Sequence, residues 1–277
     1  MISKVGFMQG RLSPVIKGKI QSFPWNTWQK EIITAKKIGF NFMEWTLDQD
    51  DLYKNPLMTK EGQKLINIIC KKNNFSIPSL TGDCFMQAPF WKSQNTRERN
   101  NLKNDFKQVL ISCSNVDINL VVIPLVDNGS LDNKEQEDYL INFLLEQVEM
   151  TSKLGIKIVF ESDYGPLELS KFISRLDSLN FGINYDIGNS AALGFDPVEE
   201  FQAIGNRILN IHIKDRYING ETVELGLGNA NFSLVFEQLG LQKYNSNYIL
   251  QTARATNDQS HSEILLKYKN FVEFWLK

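Results

Sequence analysis

The sequence predicts a (β/α)8 barrel that occupies the whole chain, residues 1–277, as one domain. Three observations carry that expectation. Eight short apolar runs, rich in β-branched and aromatic residues, alternate with amphipathic stretches, as buried parallel strands alternate with crossover helices. Glycine stands where a helix should stop before a strand, in Ile38-Gly39-Phe40 and Leu154-Gly155-Ile156. No Gly-x-Gly-x-x-Gly follows the first run, so the main rival, an open doubly wound sheet, loses its nucleotide-binding version.

In order, the strands are 5–8 (Val-Gly-Phe-Met), 42–45 (Phe-Met-Glu-Trp), 77–80 (Ile-Pro-Ser-Leu) and 120–125, then 156–160 (Ile-Lys-Ile-Val-Phe), 181–185 (Phe-Gly-Ile-Asn-Tyr), 208–213 and 248–250 (Tyr-Ile-Leu). The helical patterns that follow them span 28–38, 59–73, 95–114, 134–154, 167–179, 197–204, 234–239 and 258–275. No Ser/Gly linker or shift of composition divides this series into two domains.

Composition excludes several classes. The chain is 42% hydrophobic and 22% charged, values of a globular protein. Thirty basic residues stand against 32 acidic ones, so no global field favours nucleic acid or an anionic membrane. No apolar stretch approaches the roughly twenty residues that span a bilayer, and the amino-terminal segment is interrupted too early to read as a signal peptide. The three cysteines, Cys70, Cys84 and Cys113, are odd in number and widely spaced; they suit a reducing cytoplasm and buried positions.

In such a barrel the active site lies at the C-terminal ends of the strands. There the fifth run meets Glu161, the sixth Asp186, the seventh ends through His212, and the eighth meets Gln251. Two carboxylates, an imidazole and an amide oxygen make a hard mixed O/N donor set, suited to Mn²⁺, Mg²⁺, Co²⁺ or Zn²⁺. An ion with open positions polarises a ketose carbonyl and stabilises the enediolate left when the neighbouring C–H loses its proton. The plainer alternative is that each residue only caps its own strand.

The motifs Phe160-Glu161, Tyr185-Asp186-Ile187-Gly188-Asn189, His212-Ile213-Lys214-Asp215 and the glycine-rich segment 225–232 resemble the xylose-isomerase-like barrels over essentially the whole chain. Within that family the likeness is to the L-ribulose/L-xylulose 5-phosphate 3-epimerases and hexulose-6-phosphate isomerase-like proteins, and more distantly to endonuclease IV. The resemblance implies that Glu161, Asp186 and His212 bind a divalent metal. It further implies that a Glu at the position of Gln251 is the fourth ligand, and that the two glutamates pass protons on either side of a sugar carbon. Asn189 and Lys214 are implied substrate contacts, and a homodimer is the assembly expected of such barrels.

Gln251 breaks the pattern, because an amide takes no proton. Three outcomes stay open: another second base, one-base isomerisation or other metal-assisted chemistry (a lyase or hydrolase among it), or a sugar-binding barrel without turnover. Glu44, within the second strand, is the candidate second base, with a barrel ion pair as its alternative. Gln9 and Arg11 after the first strand, and Arg254 after the eighth, are candidate substrate contacts, the arginines as anion holders. Asp83 and Cys84 are expected at most to line the site. Gly226 and Gly228 are read either as a phosphate-binding backbone or as a plain turn. Phe85, Met86, Phe90 and Trp91 are read as a cap or a partner surface. The second histidine, His261, is expected exposed on the last helix. Two histidines are too few for a trinuclear zinc site, and there is no Gly-x-Ser-x-Gly elbow, so DNA repair and serine hydrolysis find no support. The expected partner is a small sugar or sugar phosphate, not nucleic acid or membrane.

Overall fold

A computed structural model describes residues 4–16, 18–177, 179–256 and 259–277. The apolar runs become strands whose two faces are both covered, one by the barrel interior and one by helices. They are β1 (Val5–Met8), β2 (Phe42–Thr46), β3 (Ser76–Thr81), β4 (Leu120–Leu125), β5 (Lys157–Ser162), β6 (Phe181–Asp186) and β7 (Ile208–Ile213). A two-stranded antiparallel ribbon, β8 (Asp215–Arg216) and β9 (Thr222–Val223), follows before β10 (Tyr248–Leu250) completes the set. The order β1-β10-β7-β6-β5-β4-β3-β2 closes on itself, and every pairing in it is parallel. The expected (β/α)8 barrel is therefore the fold.

The helices are α1 (Trp28–Lys37), α2 (Lys60–Asn73), α3 (Asp83–Gln87), α4 (Thr96–Ser114), α5 (Lys134–Glu146), α6 (Val148–Leu154), α7 (Pro166–Ser174), α8 (Ile187–Leu193), α9 (Pro197–Ile204), α10 (Phe232–Leu241) and α11 (His261–Trp275). Their starts follow local chemistry. Thr59 accepts from Gly62 N, and Asn95 accepts from Arg97 N and Glu98 N, so each satisfies backbone donors that a first helical turn leaves free. The stretch expected as one helix over 134–154 is two, parted at Gln147, whose side chain donates to Phe143 O. The short helices α3 and α8 were not expected; both begin where a strand ends. Of the final predicted helix, Asp258 lies outside the described residues.

Outward strand residues pack on the helices and thereby fix which residues face inward. Phe160 meets Phe172 of α7 at 5.1 Å, and Tyr185 meets Phe201 of α9 at 5.1 Å. Alternation along a strand then turns Glu161, Asn184 and Asp186 to the barrel interior. Burying each such aromatic contributes about 1.5–3 kcal/mol, so turning β5 or β6 over would forfeit both the packing and the site. Phe85, Phe90 and Trp91 are buried too: Phe90 packs on Phe106 and Phe143, and Trp91 donates to Gly129 O. Those rings anchor the β3 loop to α4 and α5 instead of capping the site, and of the four only Met86 reaches the cavity wall. All three cysteines are free, and burial raises each thiol's pKa. Among the described residues no helix is long and apolar enough to cross a membrane.

Candidate metal centre

Register brings the candidate ligands together. Asp186 pairs with His212 across β6 and β7, and Asn184 pairs with Asn210 two residues earlier on the same inward face. Glu161, near the end of β5, completes the group: one ligand atom from each of Glu161, Asp186 and His212 lies within 4.8 Å of the others, and all three residues are buried. Without compensation so much buried charge would be costly. The interior supplies that compensation through a network of amides and one further carboxylate.

His212 is held from both sides. Its Nε2 lies 2.7 Å from Glu44 Oε1, and its Nδ1 lies 3.1 Å from Glu161 Oε2 and 4.0 Å from Asp186 Oδ2. Glu44 in turn accepts from Thr81 Oγ1 at 2.5 Å and from Asn210 Nδ2 at 3.0 Å. Burial by itself would lower the pKa of His212, but the Glu44 charge and hydrogen bonds to Glu161 and Glu44 outweigh it and raise the pKa to about 10. Glu44 shifts the other way: burial alone would raise it, and the charge and hydrogen bond of His212 lower it. Asn184 Nδ2 donates to Glu161 Oε2 at 2.8 Å, and Asn210 Nδ2 donates to Asn184 Oδ1 at 2.9 Å.

Glu44 is thus not placed as the expected second base. It is fully buried and, unlike Glu161, not on the cavity wall. It holds Nε2 of the imidazole, which directs Nδ1 toward the Glu161 and Asp186 carboxylates.

Asp186 serves two purposes. Its Oδ1 accepts from Asn189 N at 2.8 Å, starting α8, while its Oδ2 takes Lys214 Nζ at 3.0 Å. Gly188 is needed for that ion pair, since a Cβ there would fall 2.6 Å from Lys214 Cγ. Asn189 Nδ2 donates to Glu161 Oε1 at 2.6 Å, and Asn189 Oδ1 accepts from Arg216 Nη1 at 2.8 Å. The motif Asp-Ile-Gly-Asn therefore brings a carboxylate to the cluster, caps α8 and clears a path for Lys214 within four residues.

Above the ligands lies a cavity of about 790 Å³ whose walls include Gln21, Asp83, Glu161, Asn189, Lys214 and Gln251. Gln251 is buried; its Nε2 donates to Gln21 Oε1 at 3.0 Å, and its Oε1 has no hydrogen-bond partner among the described residues. An orphaned buried amide oxygen in the cavity that Glu161 also lines is a donor that suits a hard cation. The residues present fit a divalent metal.

Other expected contacts lie elsewhere. Arg11 is buried, with Nε on Thr252 O at 3.0 Å and Nη1 on Ile20 O at 3.3 Å. Arg254 also donates to Ile20 O, at 3.3 Å, and to Ser13 O. Both guanidiniums tie the loop after β1 to the loop after β10, and neither is on the cavity wall. Gln9 accepts from Thr46 N at 3.1 Å inside the barrel and is likewise off the wall. The glycine segment does not present free N–H groups to a phosphate: Gly226 N and Gly228 N both donate to Asp215 Oδ2 at 2.9 Å, and Ala230 N donates to Asp215 Oδ1 at 3.0 Å. An internal carboxylate already fills that nest. His261 is half-buried, not exposed.

The described residues thus form a closed parallel barrel with a two-carboxylate, one-histidine cluster at its strand ends. The sequence model of the xylose isomerase-like TIM barrel family matches residues 32–268, and the chain belongs to that family. It is similar to an L-ribulose-5-phosphate 3-epimerase UlaE from Escherichia coli (strain SMS-3-5 / SECEC), 26% identical over 248 residues and covering 86% of each chain. Among solved structures, the IOLI protein with a binding zinc atom superposes with a TM-score of 0.76 at 15% identity, over 98% of this chain and 97% of that one. A D-psicose 3-epimerase with D-tagatose from Clostridium cellulolyticum H10 superposes with a TM-score of 0.74 at 12% identity, over 99% of both chains.

Proposed function

We propose that this protein is a divalent-metal-dependent isomerase or epimerase of a sugar or sugar phosphate, acting through an enediolate. The observation that carries the reading is the convergence of Glu161, Asp186 and His212 within 4.8 Å beside a cavity of about 790 Å³, a volume that accommodates a small polar ligand. Glu161, Asp186 and His212 would hold the ion, with Gln251 Oε1 as the neutral fourth donor. Mn²⁺, Mg²⁺, Co²⁺ or Zn²⁺ would serve. When bound, the ion supplies Lewis-acid polarisation of the substrate carbonyl.

The chain's own residues do the rest. Glu161 is the one residue of the three on the cavity wall, which supports it as the group that takes the proton from the carbon beside the carbonyl. Asn189 and Lys214 share that wall and offer an amide and a cation to hydroxyls or a phosphate. Glu44 keeps the imidazole oriented and does not meet substrate. Three free cysteines fit a reducing cytoplasm. Gln251 favours one other reading, a sugar-binding barrel without turnover, because it removes a proton carrier from the wall.

Incubation of the metal-replete protein with L-ribulose 5-phosphate or L-ribulose in deuterated water separates the two. Deuterium on the carbon next to the carbonyl supports catalysis. Binding of sugar without exchange supports the second reading. Protein that holds no divalent ion above background overturns the metal-dependent isomerase or epimerase reading.

A further inference from the structure

If Gln251 carries no proton, epimerisation needs another group on the cavity wall to supply one. We propose that Asp83 is that second acid–base group, lining the same cavity as Glu161; this rests on the isomerase/epimerase reading above.

Three observations carry the assignment. Asp83 follows β3 and lies on the cavity wall with Glu161 and Gln251, although the residue is only 8% exposed. Gln21, from the long loop after β1, joins it to the position that lacks a carboxylate. Gln21 Nε2 donates to Asp83 Oδ2 at 2.8 Å while its Oε1 accepts from Gln251 Nε2 at 3.0 Å. One amide thus reads both neighbours, and its orientation commits Asp83 Oδ2 to accepting. A proton on Asp83 then sits on Oδ1. Burial, with the charges of Asp48 and Glu161, raises the Asp83 pKa to about 7 against the opposing hydrogen bond from Gln21 and the charge of His212. A group with that pKa is protonated often enough near neutrality to act as an acid and ionised often enough to act as a base.

Topology separates the two carboxyls. Glu161 belongs to the β5–β7 wall that carries the ligands, whereas Asp83 lies two strands away around the barrel, beyond β4. In the forward direction the Glu161 carboxylate takes the proton from the carbon beside the carbonyl, and the C–H electron pair passes into the carbonyl to give the enediolate. Neutral Asp83 delivers its proton to the opposite face of that carbon, the new C–H bond forms and the carbonyl returns. Glu161 ends protonated and Asp83 ionised, and proton exchange with water restores both. The reverse direction exchanges the two roles.

The test uses the metal-replete full chain with L-ribulose 5-phosphate and L-xylulose 5-phosphate, and their unphosphorylated forms, in deuterated water. Wild-type protein should interconvert a pair and place one deuterium at C3. Asp83→Asn should slow interconversion by about 10²–10⁴-fold, yet one epimer, the one whose C3 proton faces Glu161, should still exchange without inversion. Its metal affinity should stay within a few-fold of wild type. Asp83→Ala should recover part of the inversion when formate is added, which a role in folding alone would not produce. Unchanged interconversion by Asp83→Asn, or equal loss of exchange from both epimers, overturns the Asp83 assignment and leaves the proposed function standing. Wild-type protein that exchanges neither epimer overturns that function and this assignment with it.

Discussion

Replacing Glu44 by Gln separates an orienting role from a catalytic one, and the network sets the size of the effect. The carboxylate accepts three hydrogen bonds: from His212 Nε2 at 2.7 Å and Thr81 Oγ1 at 2.5 Å on one oxygen, and from Asn210 Nδ2 at 3.0 Å on the other. A glutamine offers one acceptor and one donor. Whichever way it turns, a donor faces a donor: its nitrogen meets either Asn210 or the His212–Thr81 pair. A buried polar group left without its partner costs about 1–3 kcal/mol. Loss of the partner behind a ligating histidine lowers metal affinity about 10- to 100-fold, or roughly 1.4–2.7 kcal/mol. Titration of Mn²⁺ into metal-stripped Glu44→Gln, followed calorimetrically beside wild type, should show that loss with a folded circular-dichroism spectrum. Proton exchange measured at saturating metal should stay near wild type. Undiminished metal affinity together with abolished exchange would refute the reasoning and return Glu44 to the role of base.

Three further outcomes follow from the same contacts. Gln251→Glu puts an anionic oxygen in place of the orphaned amide oxygen, so Mn²⁺ binding measured in the same titration should tighten, and its Glu side chain would then face Gln21 Oε1 with no N–H to donate. Arg254→Ala removes the contacts to Ile20 O and Ser13 O; chemical denaturation should show a loss of about 1.5–3 kcal/mol, and KM should rise more than kcat falls because the same loop carries Gln21. Glu31 accepts from Gly10 N and Leu12 N, and burial raises its pKa from 4.5 to about 7 despite those bonds. A carboxyl raised on folding contributes stability that is full below about pH 4.5 and lost as pH rises through 7. The unfolding free energy of wild type relative to Glu31→Gln should therefore fall between pH 4.5 and 7, by roughly 3 kcal/mol in all; a flat difference would show that the backbone bonds hold the carboxylate ionised.

Much of the site was legible because strand ends in a barrel converge. Glu161, Asp186, His212 and Gln251 each close an apolar run, and alternation along the strand does the rest. The residues that reading passed over, Asn184 and Asn210, stand two before Asp186 and His212, so period-two spacing marks them for the same inward face; they drew no attention because asparagine is a weak strand former. Glu44 was visible as one charge inside an apolar strand, but which partner it meets depends on β2 and β7 facing one another across the barrel. The Gln21–Asp83 contact was beyond local pattern altogether, since it joins a long loop after β1 to the end of β3. Arg11 and Arg254 misled for a related reason: a rim position says that an arginine is near the mouth, not whether backbone carbonyls have already claimed it. The glycine segment likewise met its anion inside the chain, at Asp215.

The most direct test of the account joins the metal to the proton. Protein loaded with one equivalent of Mn²⁺, incubated with ketopentoses and their 5-phosphates in deuterated water, should place deuterium on the carbon beside the carbonyl of at least one of them. Removal of the ion by chelation, and separately Glu161→Gln, should abolish that signal. Deuterium incorporation that persists without the ion, or its absence from every ketose offered to a fully loaded protein, would contradict the claim that Glu161, Asp186 and His212 form the working centre of an isomerase or epimerase.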